Sequence, residues 1–225
     1  MKSSEEIFYD RYWKDEHIKI NSFDHHPSGW TLENFEFHYS FFKKFYGAKK
    51  NLTHLDYGSG DGDFLNFLYE SLGTENKVIG TEISALAIQT AKKKYPKLAF
   101  LKADGSGLIP LQDNTIDYIY CIDVLEHLVD VETFFEECHR VLKNDGYVFI
   151  ATTELTKIKL VLIALFFMDD YFFGTSPHLR FFTRKNLKKL IEIKSFEYAG
   201  YKRNRAYLGF IPWGQMIAIK KIDSK

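Results

Sequence analysis

Only two cysteines, Cys121 and Cys138, occur in 225 residues. A disulfide framework is excluded, and without a C-x-x-C pair so is a zinc ribbon or a dithiol redox centre. An excess of one charge is also missing, because 30 Lys+Arg balance 30 Asp+Glu. No global field draws the chain to nucleic acid or to an anionic surface. "KNLKK" and "YKRNR" are basic but short, as on solvated element faces. Long apolar runs are absent too. The longest, "LVLIALFFM" over 160–168, is too short to cross a bilayer as a helix. The opening "MKSSEEIFYD" is polar and acidic, unlike a signal peptide. These absences lead us to expect a cytoplasmic, reducing setting, without nucleic acid or stable membrane insertion.

What is present suits one globular domain. Hydrophobic residues make up 45% and aromatics 17%, enough for a bulky core. The dominant pattern is alternation. Short apolar runs at 52–57, 77–83, 98–103, 115–122 and 147–153 read as strands. Segments with helical spacing lie between them, at 64–72, 85–95 and after Asp130. Ser84 and Asp130 are placed to cap two of these helices. Five such alternations predict an α/β domain with a mainly parallel sheet and helices on both faces. Beyond residue 154 come an apolar segment, a helix over 183–193 and two closing strands, 195–203 and 214–222. Residues 4–16 and 31–46 read as aromatic-rich helices that could cover the mouth of the sheet. The organisation expected is a helical cap over 1–48 and a main domain over 49–225, with a lid insert at about 155–182.

In open α/β sheets, ligands bind beyond the carboxyl ends of the strands. The first strand ends in "LDYGSGDGDF", with Asp56 followed by Gly58, Gly60 and Gly62. A dinucleotide fingerprint would need glycine where Asp63 stands. Asp61 and Asp63 would also repel a pyrophosphate at the helix N-terminus. The loop therefore suits a neutral or cationic ligand. Glu82 ends the second strand, 20 residues after Gly62, where an acid can accept both ribose hydroxyls. Asp104 follows the third strand in "KADGSG", either as a simple Asp-Gly turn or as an acceptor for an adenine amine.

Taken in order, "LDYGSGDGDF", "VIGTEIS", "LKADGSGLIPLQDNTIDYIYCIDVLEHLVD" and "RVLKNDGYVFIATTE" resemble the successive motifs of class I S-adenosylmethionine-dependent methyltransferases. The resemblance covers about residues 50–154. "HLRFFTRKNLKKLIE" is similar to the segment after strand 5 in small-molecule members, including the ubiquinone-methyltransferase-like group. It implies a Rossmann-like seven-stranded sheet whose last strand is antiparallel, with S-adenosylmethionine as cofactor. It also implies roles. Gly58, Gly60 and Gly62 would let the backbone approach the methionine portion, with Asp56 beneath. Glu82 would hold the ribose, Ile83 would lie on the adenine and Asp104 would take its amine. Cys121 and Ile122 would border the sulfonium. One departure is Ser195-Phe196, where relatives usually carry Gly-Phe.

The acceptor side is less specific. In "CIDVLEHLVD", Asp123, Glu126 and His127 would share one face if the turn is helical. His127 could act as general base, with Asp123 as a further catalytic candidate, and His178 could reach the site from the strand 5 side as a base or fourth ligand, or could tie down a loop. The three residues Asp123, Glu126 and His127 could alternatively hold a divalent cation, or the Glu-His pair could merely pin strand 4 to its neighbours. Arg180 could pair with an acidic acceptor or with Asp169 or Asp170. His25 and His26 read as surface residues or as pocket lining. Tyr9, Tyr12, Trp13, Trp30, Phe172 and Phe173 are candidate walls for an aromatic or lipophilic acceptor. The segment "KIKLVLIALFFMDDYFFG" over 157–174 reads as a buried helix, a hydrophobic lid or a shallow membrane-facing patch. The leading expectation is a methyltransferase acting on O or N of a small molecule. The alternatives are a nicotinamide oxidoreductase, disfavoured by Asp63, and a non-catalytic binding subunit. A homodimer remains open.

Overall fold

The parallel strands expected from the apolar runs assemble into one sheet. The structure, a computed structural model, describes residues 2–14, 31–47, 50–172, 178–193, 195–204, 206–207, 211–212 and 214–222. Helix α1 (Ser4–Lys14) and helix α2 (Leu32–Phe42) come first. Strand β1 (Thr53–Tyr57), α3 (Asp63–Leu72), β2 (Lys77–Glu82), α4 (Ala85–Lys94) and β3 (Ala99–Lys102) follow. Next are β4 (Ile116–Ile122), α5 (Val131–Val141), β5 (Leu142–Thr153), α6 (Lys157–Leu162) and α7 (Met168–Tyr171), the last two joined by a π-turn. Helix α8 (Arg184–Ile193), β6 (Phe196–Arg203), a short hairpin of β7 (Ala206–Tyr207) and β8 (Ile211–Pro212), and β9 (Gly214–Lys221) complete the order.

The seven-stranded sheet runs β3-β2-β1-β4-β5-β9-β6. Strands β1 to β5 pair parallel, and β9 lies antiparallel between β5 and β6. The expected antiparallel closing strand is thus present. Strand β5 begins earlier than its apolar run suggests. It starts at Leu142, and its register against β4 shifts where Asp145 takes a left-handed φ of 64°. Ser195, where glycine is usual in relatives, also takes a left-handed φ, of 60°. The turn keeps the conformation glycine would adopt, at the steric cost of a Cβ.

Successive side chains of a strand point to opposite faces, and the two cores follow that period. Ile119, Cys121, Val148, Ile150, Ile217 and Ile219 face α5 and α8. Tyr118, Tyr120, Phe149, Ala151, Met216 and Ala218 face α2, α3 and α4. Helix α5 buries Phe134, Phe135, Cys138 and Val141 completely. Each Phe contributes about 1.5–3 kcal/mol by leaving water. Asp130 caps this helix by accepting from Thr133 N, and Ser84 caps α4 by accepting from Ala87 N, both as the sequence suggests. Helix α2 is more deeply built in than a cap over the mouth. Phe42 stacks on Phe149 with ring centroids 4.8 Å apart, so α2 belongs to the core of one face.

Helix α1 is held differently, by polar contacts. Asp10 accepts from Ser84 Oγ at 2.6 Å and from Leu86 N at 3.3 Å, so it supplements the cap at the positive end of α4. Lys2 also pairs with Asp10, and Lys102 with Glu6 at 3.3 Å. Burial works against the Asp10 carboxylate, but the hydrogen bonds from Lys2, Ser84 and Leu86 N hold its pKa down to about 2. A depressed carboxyl pKa stabilises the contact above the unfolded value near 3.9 and loses that contribution as pH falls towards about 2. Asp10→Ala is expected to cost about 1 kcal/mol and to raise amide exchange in α1 while sparing the central strands. Unchanged exchange in α1 would show that Asp10 does not hold the helix.

Candidate cofactor and acceptor site

Strand order reverses between β1 and β4, so the carboxyl ends of these two strands open a crevice. The glycine loop turns there. Gly58 has φ 80°, and a Cβ on it would come within 2.4 Å of Val124 Cγ2. Gly62, at φ 86°, takes the left-handed turn that launches α3. Both positions therefore require glycine. Gly58 N and Ser59 N donate to Thr81 O at 2.8 and 2.9 Å. Glu82 completes the clasp: Oε2 accepts from Gly60 N at 3.0 Å and Oε1 from Ser84 N at 2.7 Å.

Above the loop lies a cavity of about 270 Å³. Six carboxylates line it, those of Glu5, Asp56, Asp61, Asp63, Glu82 and Asp123, with no Lys or Arg in its wall among the described residues. The two loop aspartates are already neutralised. Lys94 of α4 pairs with Asp61 and, at 3.0 Å, with Asp63, which also accepts from Tyr95 OH at 2.8 Å. The buried acids left for a ligand are Asp56 and Glu82. Burial, with Glu82 adding repulsion, pushes the Asp56 pKa up to about 8. Burial also raises Glu82, opposed by the N–H groups of Ser84, Gly60 and Ile83. Asp56 Oδ2, Ser59 Oγ and Thr81 Oγ1 are buried in this wall without a hydrogen-bond partner. Buried polar atoms are ordinarily satisfied, so three orphans around one loop set this corner apart from the rest of the core.

Helix α1 roofs the cavity with Glu5, Phe8, Tyr9, Tyr12 and Trp13. A Cβ on Gly60 would lie 2.7 Å from Trp13 Cζ2, so the indole rests against the bare backbone. Tyr9 sits edge-on to His127 at 6.2 Å. Burial, with Glu82 and Glu126 adding, raises the Tyr9 pKa and keeps the phenol protonated. Of the aromatic candidates, Tyr9, Tyr12 and Trp13 line the cavity, whereas Phe172 packs on Phe181 outside it, at 5.4 Å. His25, His26, Trp30 and Phe173 lie outside the described residues.

The other candidates divide. Gly58, Gly60, Ile83, Ile122, Asp123 and His127 line the cavity. Cys121 does not: alternation along β4 turns its thiol into the core beneath α5. Asp104 is exposed and folds back to accept from Ser106 N at 2.9 Å and Ser106 Oγ at 2.6 Å, while its neighbours Ala103 and Gly105 form the wall. Asp123 is not part of a helical face with Glu126 and His127. Its φ is 52°, its amide donates to Ala151 O, and only Leu125–His127 form a 3-10 turn. Glu126 is fully buried and accepts from Thr152 Oγ1 at 2.9 Å, which ties the turn to β5. Instead His178 joins the pair. Among the described residues, Glu126, His127 and His178 bring ligand atoms within 4.8 Å of one another, without Asp123. The rings of His127 and His178 are 4.7 Å apart. Arg180 donates to the carbonyls of Leu128 and Val129, and among the described residues these are its hydrogen-bond partners. Sequence reasoning missed Glu5, Ser59, Thr81 and Lys94. Only the helical spacing of Lys94 on α4 hinted at its reach.

Known proteins agree with this geometry. The family model described as a methyltransferase domain matches residues 55–150. A demethylmenaquinone methyltransferase of Oceanobacillus iheyensis is 30% identical over 63% of this chain and 63% of its own. A 2-phytyl-1,4-naphtoquinone methyltransferase of Nostoc punctiforme is 28% identical over 73% of this chain and 66% of its own. The chain thus spans just under two thirds of the length of these curated relatives. A crystal structure of a SAM-dependent methyltransferase from Aquifex aeolicus shares the fold, with a TM-score of 0.62 at 21% identity over 82% of this chain and 89% of that one. Residues 55–150 thus match the methyltransferase-domain family, and the chain shares the fold of an S-adenosylmethionine-dependent methyltransferase.

Proposed function

We propose that this protein transfers a methyl group from S-adenosylmethionine to an oxygen or nitrogen of a small aromatic or lipophilic acceptor. The observation that carries the reading is the charge of the cavity wall: six carboxylates and, among the described residues, no Lys or Arg. A phosphate-bearing dinucleotide meets repulsion there, whereas a nucleoside with an ammonium and a sulfonium meets attraction. The orphaned Asp56 Oδ2, Ser59 Oγ and Thr81 Oγ1 fit that ligand's polar groups. Glu82 would accept from the ribose, and Ile83 would lie against the base. S-Adenosylmethionine supplies a methyl group already activated as a sulfonium.

The chain's own task is to position the reactants, exclude water and move one proton. The aromatic roof of α1 keeps water from the reacting atoms. His127, in the wall and beside His178, would take the acceptor's proton. Asp123, in the same wall, would orient the acceptor or balance the imidazolium. The quinone acceptors named for the relatives from Oceanobacillus and Nostoc favour a lipophilic aromatic substrate here as well.

Three outcomes test the proposal. The raised pKa of Asp56 means the folded, ligand-free protein holds this proton between about pH 4 and about pH 8. That group's stabilising contribution is complete at low pH and is lost as pH rises through about 8. A cationic ligand favours the carboxylate. Binding of S-adenosylmethionine at pH 7 should therefore release a proton and tighten as pH approaches about 8. Calorimetry in two buffers of different ionisation enthalpy measures the release, and identical heats would sink the Asp56 assignment. Glu82→Ala should weaken cofactor binding by about 1–3 kcal/mol, and unaltered affinity would remove Glu82 from the ribose site. His127→Ala should lower kcat by about 10²–10⁴ with little change in cofactor Kd. If a chelator stops the wild-type enzyme and a divalent ion restores it, Glu126, His127 and His178 act as metal ligands instead.

A further inference from the structure

We propose that the outer face of the helical stretch 157–171 docks on a lipid bilayer. The buried side of this stretch recurs every four or eight residues, at Lys159, Ile163 and Tyr171. Lys159 is turned inward, its ammonium 5.5 Å from the centre of the Tyr171 ring. The opposite side carries Ile158, Val161, Leu165, Met168 and Phe172, spaced three and four residues apart in turn. All five are exposed, Leu165 to 67%, and Phe166 beside them to 68%. Between Lys157 and Asp169 no charged side chain reaches solvent. An ordinary surface helix shows water its polar side. This one is inverted, with its one interior charge packed against the protein and its apolar side out.

An interfacial helix normally needs a polar face of its own to stay in contact with water. Here the body of the protein takes that place, so the lack of a polar stripe does not count against a bilayer. Two further observations select the bilayer over a second copy of the chain. A helix face of this length is about 22 Å long and about 10 Å wide, which is roughly a quarter to a third of the 800 Å² per partner that a stable dimer buries. The surface also continues to the site. Phe172 contacts Phe181 at 5.4 Å, Phe181 contacts His178 at 6.4 Å, and His178 contacts His127 in the cavity wall at 4.7 Å. Leu179 and Val129, each 54% exposed, extend the apolar surface to the rim, and Val129 lines the cavity itself. An acceptor dissolved in lipid would meet the cavity at this edge. The chain's balanced charge assigns the attraction to apolar insertion and not to anionic headgroups.

Binding can be read without cofactor or acceptor, so the test stands apart from the reaction proposed above. The full chain is sedimented with vesicles of phosphatidylcholine alone, and of phosphatidylcholine with phosphatidylglycerol, at low and high salt. The protein should pellet with both, its partition changing less than about twofold with salt. The double substitution Leu165→Glu and Phe166→Glu should cut partition at least about tenfold while leaving the circular dichroism and thermal midpoint unchanged. In Phe166→Trp, the indole emission should shift to the blue when phosphatidylcholine vesicles are added. Four results would overturn the proposal: no pelleting with either vesicle, pelleting that needs the anionic lipid and vanishes in salt, a double variant that pellets like the wild type, or a solution dimer that the double variant dissociates.

Discussion

The site depends on one carboxylate. Glu82 receives Gly60 N on one oxygen and Ser84 N on the other. Its position at the end of β2 therefore sets the height of the glycine loop and the start of α4 together. Charge-assisted bonds of this kind are stronger than neutral ones, and burial strengthens them further. Asp10 adds to the same corner through Ser84 and Leu86, so the roof helix is registered against the same residues as the floor. A carboxylate has about four lone-pair sites. Backbone N–H groups occupy part of that capacity on each oxygen, and Glu82 can accept a further donor without releasing the loop.

Charge is distributed by pairing, not by number alone. The chain is neutral, yet among the described residues the cavity wall holds six carboxylates and no Lys or Arg. Lys94 relieves the loop aspartates from the solvent side, which leaves the buried Asp56 and Glu82 as the attraction. The acids at the loop thus divide into a pair held by Lys94 and a pair buried in the cavity wall. A count of aspartates in the loop does not separate these two roles, because the separating residue lies on another helix.

Local patterns were the legible part of the sequence. Period-two runs located the strands, Ser84 and Asp130 marked helix starts, and the D-x-G-x-G-x-G spacing with Glu82 placed the crevice. What depends on contacts across the chain was not legible. Nothing near Cys121 in sequence tells that alternation points it to α5 while Ile122 turns the other way. The spacing of Asp123, Glu126 and His127 suggested a helical face, but Asp123 takes a left-handed turn instead, whereas His178, a candidate from the strand 5 side already, stands with Glu126 and His127. Arg180 looked like a partner for an acid. Carbonyls at the end of the 3-10 turn claim it, and only the fold brings them near.

Strand β9 lies between β5 and β6, antiparallel to both. Strand β6 has no hydrogen-bonded neighbour in the sheet apart from β9. It can therefore join only after a later segment has crossed back to the sheet. Both β9 pairings must form before that edge closes, and the one with β5 joins residues far apart in sequence, which makes it entropically late. The glycine-loop half of the sheet, β1 to β3, has no such dependence. The cofactor half can thus add strands in chain order, whereas the edge beyond β5 cannot.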